Sequence, residues 1–139
     1  MIFETTYQDK DIIRTINQHL GNSYSLWQRF KMGGIGSKRM MVEQYSAHFT
    51  PYFSMDADIS YANIELRPKG ILIHFNKRLH QFSWIIPYHH LEISQKDCFG
   101  IHGQYRFILF KKNRYFTENI AFINRLMILK EEFLSIFIE

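Results

Sequence analysis

The chain has 139 residues, of which 46% are hydrophobic and 17% are aromatic, with a formal net charge of +4 and one cysteine, Cys98. This apolar content excludes a disordered chain, and a single cysteine excludes an internal disulfide. The start MIFETTYQDKD lacks the pattern of a signal peptide, and residues 120–138 contain too many charged groups to span a bilayer. We therefore expect a cytoplasmic protein without an integral membrane segment.

Residues 1–55 have a helical pattern and are predicted to form a separate N-terminal helical segment. Its first helix is marked by apolar residues three and four positions apart: Ile12, Ile13, Ile16 and Leu20. Its second, short helix is marked by Leu26, Trp27 and Phe30. A third helix is predicted to start after Ser37 and to close at Pro51, although a strand over residues 40–49 is an alternative.

Residues 56–139 are predicted to form an antiparallel sheet followed by a helix. In SYANIELR, apolar and polar side chains alternate with the period of two that is typical of a half-buried strand. Five further candidate strands follow at short intervals with turn residues between them: ILIHFN, HQFSWII, LEISQ, CFGIHG and QYRFILFKK. Short strands this close together favour an antiparallel meander or barrel.

The last element is a long helix with Thr117 as its predicted N-cap. Its apolar face is wider than one packing seam requires, so it should cover the sheet and leave apolar surface for a partner or for self-association, for example as a homodimer. The residues predicted for this interface are Phe122, Leu126, Leu129, Phe133 and Phe137.

The order of elements resembles the pleckstrin-homology-like (PH-like) superfold, which ends with one capping helix. The strand KGILIHFN followed by FSWIIPYHHLEI, which is broken at Pro87, is similar to the bacterial PH-like pattern. The stretch YANIELRPKGI is also similar to an uncharacterised bacterial family. The resemblance implies an α+β fold in which a PH-like barrel or bent sheet is capped by the C-terminal helix. It also implies a binding or assembly module, although the chain has one strand fewer than the usual seven.

Basic residues are concentrated in the middle of the chain. Residues 60–114 contain nine basic and three acidic groups, which could attract anionic lipid headgroups or nucleic acid. The candidate anion-binding residues are Arg67, Lys69, Lys77, Arg78, Lys111, Lys112 and Arg114.

Three other patterns suggest chemistry but lack the required spacing. KMGGIGSKRM has the glycines and lysine of a phosphate-binding loop in the wrong order. YRFILF partly matches the RNA-stacking strand, with Arg106 where a small residue is expected. His89 and His90 should point to opposite faces of an extended strand and so cannot share a metal.

We expect a non-catalytic binding or scaffolding module without a cofactor, working mainly through protein–protein contacts. The alternative is peripheral binding to anionic lipid or nucleic acid through the basic middle segment. An enzyme is not expected, because the sequence has no recognisable acid–base or nucleophile–base arrangement.

Overall fold

The computed structural model describes residues 1–53, 60–95, 98–112 and 116–136. In chain order the elements are β1 (Ile2–Glu4), α1 (Lys10–Leu20), α2 (Leu26–Met32), β2 (Met40–Tyr45), β3 (Ser60–Arg67), β4 (Gly70–Lys77), β5 (His80–Pro87), β6 (Glu92–Ser94), β7 (Phe99–Gly103), β8 (Arg106–Phe110) and α3 (Ile120–Ser135). Short 3₁₀ turns lie at Ala47–Phe49, Tyr88–His90 and Phe116–Asn119.

All eight strands belong to one antiparallel sheet in the order β1-β5-β4-β3-β2-β8-β7-β6. The six strands predicted between residues 60 and 112 are confirmed as β3 to β8. The sheet ends at β1 and β6 and does not close, so the fully closed barrel among the predictions is wrong. It is nevertheless strongly bent: a Cβ added at Gly103 on β7 would lie 2.5 Å from the Trp84 indole on β5, although these strands are not neighbours.

The predicted third helix is wrong, because residues Met40–Tyr45 form β2. This strand lies between β3 and β8, pairing Met40 with Ala62 and Val42 with Phe110. Ladder hydrogen bonds to two neighbours therefore override the local helical spacing of Met40, Met41 and Gln44.

Residues 1–53 contribute two strands to the same sheet as the rest of the chain. Besides α1 and α2 they supply β1, which pairs with β5, and β2. The predicted division at residue 55 lies in the stretch 54–59, outside the described residues. Strands from both sides of this stretch belong to one sheet, so residues 1–53 are not a helical unit set apart from that sheet.

The core lies on the concave side of the bent sheet and is rich in aromatic side chains. The Phe49 ring, from the turn after β2, lies 5.0 Å from Trp84 and 5.9 Å from Phe75. Helix α3 closes this side, burying residues Phe122 and Leu126. Its N-cap is Asn119 and not Thr117, which lies in the preceding 3₁₀ turn.

Helix α1 packs on the opposite, convex side of the sheet. Ile16 and Leu20 form a small cluster with Leu72 of β4 and Ile85 of β5. Asp9 caps the helix by accepting hydrogen bonds from the N–H groups of the first turn. Both faces of β4 and β5 are therefore covered.

Pro87 ends the pairing of β5, as predicted. It is the last residue of β5 in register with β4, opposite Gly70, and the 3₁₀ turn Tyr88–His90 follows. The buried Tyr88 donates a hydrogen bond of 2.8 Å from its hydroxyl to the carbonyl of Arg67. This bond fixes the turn against the end of β3.

Candidate functional site

Among the helices and strands of the described residues, α2 has the most exposed large apolar side chains. Leu26 is 82% exposed, Trp27 64% and Phe30 79%. At helical spacing these three side chains fall within about 100° of one another, and the Trp27 and Phe30 rings stack at 6.2 Å. We call this surface the α2 patch. Large apolar side chains grouped on a surface mark an interaction site more often than single ones do.

The rest of α2 holds the patch in a fixed orientation. Met32, on the opposite side of the helix, packs against the core, as do Tyr24 and Ile35 on either side of the helix. Ser25 and Gln28 form a reciprocal capping box at the N-terminus. The helix is therefore anchored at both ends, and no other part of the described chain covers its apolar face.

Helix α2 has basic residues and no acidic ones. The Lys31 ammonium lies 5.0 Å from the centre of the Trp27 ring, a cation–π distance. Arg29 instead donates to the Tyr24 carbonyl at 2.9 Å and to the Ser23 hydroxyl at 2.7 Å. Of the two basic residues of α2, Lys31 therefore places its positive charge beside the α2 patch, whereas Arg29 is held by Tyr24 and Ser23.

The predicted anion-binding residues do not converge. Arg67 of β3 pairs with Gly70 at the start of β4, whereas Lys77 is the last residue of β4. At the rise per residue of an extended strand, the two positions are roughly 23 Å apart. Lys77 donates to the Pro51 carbonyl at 2.8 Å, while Lys69 and Arg78 occupy turns at the two ends of the strand. Arg114 lies outside the described residues.

The guanidinium group of Arg67 forms hydrogen bonds within the protein. Its Nε donates to Glu65 Oε2 at 2.6 Å, and its Nη1 donates to Asn17 Oδ1 at 3.0 Å and to the Gly21 carbonyl at 3.1 Å. It therefore joins β3 to the end of α1 instead of facing a ligand.

Lys111 lines a cavity of about 470 Å³ together with Lys38 and Arg39, which sequence reasoning did not single out. Lys38 is paired with Glu118 at 3.0 Å, and the Arg39 guanidinium lies 4.6 Å from the Tyr61 ring centre. The signal available in the sequence was the adjacent pair Lys38 and Arg39 just before a strand. Lys112 points elsewhere, donating to the Gln95 carbonyl at 2.5 Å.

The residues predicted as an intermolecular interface face the core. Phe122 and Leu126 are buried, and Leu129 and Phe133 are half-buried against the same core. They are therefore core residues, because the bent sheet needs a wide apolar cover and α3 supplies it. Phe137 lies outside the described residues.

A larger cavity, of about 700 Å³, lies where α1, the end of β5 and the β7–β8 turn meet. His19, His48, His89 and His90 line it, with Arg106 of β8. The prediction that the two adjacent histidines point apart is wrong: they lie in a 3₁₀ turn and their ring centres are 4.1 Å apart. Among the described residues, no three His, Cys, Asp or Glu side chains form a group that could hold a metal.

Two other sequence patterns serve the fold. In YRFILF, Tyr105 lies in the β7–β8 turn and Phe110 is buried in the core, so the strand offers no row of stacking aromatics. The glycine-rich stretch before β2 runs beside β3, where Gly36 bridges to Glu65.

A polar network lies on the outer face of β3, β4 and β5. His74 contacts Glu65 Oε1 through Nε2 at 3.2 Å and Ser83 Oγ through Nδ1 at 2.6 Å. Burial by itself would raise the pKa of Glu65, but hydrogen bonds from His74 and Arg67 and the charges of both bring it down to about 2. The network ties three strands together and stabilises the sheet.

Comparison of the chain with protein-family models, with curated proteins and with solved structures finds no match. Within the described ranges, no helix combines the length and the apolar character needed to cross a membrane.

Proposed function

We propose that this protein is a non-catalytic binding module that docks onto a protein partner through the α2 patch. The observation that carries the proposal is the exposure of Leu26, Trp27 and Phe30 on one face of a capped and anchored helix. Burying them costs little ordering entropy, because the helix is already formed in the free protein. Tryptophan is also among the residues that contribute most at protein interfaces.

The size of the α2 patch indicates what surrounds it. Three such side chains bury roughly 400–500 Å², about half of what one partner contributes to a standard interface. We infer that they form the centre of the contact and that polar neighbours form its rim. The partner should offer an apolar cleft that accepts a helix, as in helix-in-groove recognition. Its rim should be acidic, because Lys31 borders the patch and α2 contains no acid.

A protein partner explains the α2 patch better than a lipid surface does. Attachment to a membrane usually needs two signals, such as inserted apolar groups together with a polybasic cluster. Here the helix has only seven residues, and Arg29 is held by backbone and hydroxyl oxygens, which leaves Lys31 beside the patch. The basic residues of the middle segment are spread over opposite ends of the sheet, so the lipid and nucleic-acid alternative has less support.

We also infer that the domain is PH-like. Seven consecutive strands, β2 to β8, precede α3, and β2 is the one for which the sequence left a helix and a strand as alternatives. The helix packs against the concave side of a bent antiparallel sheet, as the resemblance implies. In a PH-like arrangement β1 is an added edge strand beside β5, α1 is an addition on the convex side, and α2 precedes the first strand.

Site-specific photo-crosslinking in cells tests the proposal. A photoreactive phenylalanine analogue replaces Phe30 in one variant and Leu79 in the control, since Leu79 is 92% exposed in the β4–β5 turn and lies outside the patch. We expect a protein adduct from position 30 that position 79 does not give. Adding Trp27→Ala should abolish it.

The crosslinked partner is then purified and titrated against wild type, Trp27→Ala and Leu79→Ala. We expect Trp27→Ala to weaken binding by at least about tenfold and Leu79→Ala to leave it unchanged. Equal binding by all three proteins would refute the proposal. Sedimentation with anionic but not neutral vesicles, lost in Trp27→Ala, would instead identify the patch as a membrane contact, and salt-sensitive mobility shifts with nucleic acid would support the other alternative.

A further inference from the structure

The cavity of about 700 Å³ is large enough for a small organic molecule. Its walls come from parts of the chain that are distant in sequence: α1, the turn after β2, the end of β5 with the turn that follows, and the β7–β8 turn. Apolar contact comes from Pro87 and the exposed Tyr105 ring, because Trp84 and Ile86, which also border the cavity, are almost fully buried. None of the α2 patch residues lines it, so it is independent of the proposed docking surface.

The polar lining of the cavity is basic. It contains the guanidinium of Arg106 and the four imidazoles of His19, His48, His89 and His90. No aspartate or glutamate is among the described residues that line it. Each imidazole that takes up a proton therefore adds positive charge that no neighbouring carboxylate balances.

Arg106 is the group in the cavity that most clearly lacks a partner. Its Nη1 is buried and has no hydrogen-bond partner among the described residues. The guanidinium lies 5.8 Å from the centre of the Phe49 ring, which holds it in place from the core side. A buried guanidinium nitrogen without an acceptor is costly, and planar carboxylate and phosphate oxygens are the acceptors that fit it best.

The backbone at the rim of the cavity is strained. Tyr105, in the turn before Arg106, has a φ of 67°, in the left-handed region that non-glycine residues rarely adopt. Its side chain is mostly exposed and lies at the cavity. A two-residue hairpin turn requires such a residue, as at Arg78 in the β4–β5 turn, and here the turn places an aromatic ring beside the basic lining.

We propose that this cavity binds a small organic anion whose carboxylate or phosphate group pairs with Arg106. The imidazoles of His19, His48 and His90 offer hydrogen-bonding nitrogens around it. The aromatic and aliphatic wall contacts the rest of the ligand.

Matched small probes test the charge requirement. Benzoate and phenyl phosphate carry the two anionic groups, and benzamide is the neutral counterpart of benzoate. Nuclear magnetic resonance of the histidine ring signals reports binding, with each probe titrated into the millimolar range. We expect both anions, or one of them, to shift the signals of the cavity histidines, and the stronger of the two identifies the preferred group. Benzamide should leave these signals in place.

Substitutions locate the site. Arg106→Gln should weaken anion binding at least tenfold, whereas Arg14→Gln, an exposed arginine paired with Asp11 outside the cavity, should have no effect. If Arg106→Gln does not fold, the double variant His48→Gln/His90→Gln carries the test, because both side chains are exposed and their loss should lower affinity severalfold.

The pH dependence separates this site from a purely apolar one. Affinity should rise severalfold between about pH 8 and about pH 5.5, the range in which imidazole side chains in general take up protons. His89 should contribute least, because burial and the neighbouring His90 lower the pKa of its ring. Met1 also borders the cavity, and burial and the charge of Arg106 lower the pKa of its amino group. Equal shifts by benzoate and benzamide, or wild-type affinity in Arg106→Gln, would overturn the proposal.

Discussion

The network around Glu65 makes the stability of the protein depend on pH, and Glu65→Gln tests this. The carboxylate accepts from Arg67 at 2.6 Å and contacts His74 at 3.2 Å, and its side chain is 24% exposed. Arg67 continues the network to α1, and His74 continues it to Ser83 on β5. Replacing the charge leaves Arg67 with a weaker, neutral acceptor.

The contribution of the Glu65 charge to the free energy of unfolding follows from the pKa of Glu65. Burial would raise it, but the hydrogen bonds from His74 and Arg67 and their charges lower it from 4.5 to about 2. A difference of this size corresponds to about 3 kcal/mol, reduced to about 2 kcal/mol by the remaining solvent screening. Because the folded-state pKa is the lower one, this stabilisation is fully present above about pH 4.5 and is lost as the pH falls towards 2.

Urea unfolding at several pH values between about 7 and 2.5 measures the effect. We expect Glu65→Gln to lower the free energy of unfolding by about 2 kcal/mol at pH 7, with the difference from wild type shrinking in acid. The matched control is Glu4→Gln, since Glu4 pairs with His80 at 2.5 Å but both side chains are about half exposed. It should cost less than about 0.5 kcal/mol. A Glu65→Gln effect that is small at pH 7, or constant across the range, would refute the reasoning.

Three further substitutions probe the packing. Phe49→Ala should lower the free energy of unfolding by about 3–5 kcal/mol in urea titrations, because the ring is fully buried among aromatic neighbours, and a loss below 1 kcal/mol would contradict this. Gly70→Ala should cost about 2–3 kcal/mol, since a Cβ there would overlap the Ile86 carbonyl oxygen, whereas Gly36→Ala, with open space around it, should be nearly neutral. Tyr105→Asn should raise the stability by about 0.5 kcal/mol by relieving the left-handed backbone, and a lower melting temperature would argue against strain.

The strands could be predicted from the sequence where local pattern and final environment agree. In β3, alternate side chains are buried, so the period of two is visible and its bounds match the prediction. The pattern of β2 is ambiguous, because its partners lie far away in sequence and no local signal records them. The same holds for β1, a three-residue strand that pairs with β5.

The binding surfaces were harder to predict, for physical reasons that differ between them. The apolar face of α3 looked like an interface because the sequence does not show that a bent sheet requires so wide a cover. Leu26, Trp27 and Phe30 predicted only a short helix, since helical spacing indicates an apolar face but not whether that face is covered. The histidine-lined cavity depends on the 3₁₀ turn after Pro87, which brings the two rings to the same side.

The central position of β2 in the sheet has a consequence for how the chain folds. The meander β3-β4-β5 can form as soon as it is synthesised, because two-residue turns join its strands. β2 also pairs with β8, and β1 pairs with β5, so each of the two is synthesised well before that more distant partner. We therefore expect the sheet to be completed only when nearly the whole chain has been made, with slow folding typical of distant strand pairs. Until then the backbone edge of β2 that pairs with β8 is unpaired, and it is the segment that we expect chaperones to bind in the nascent chain.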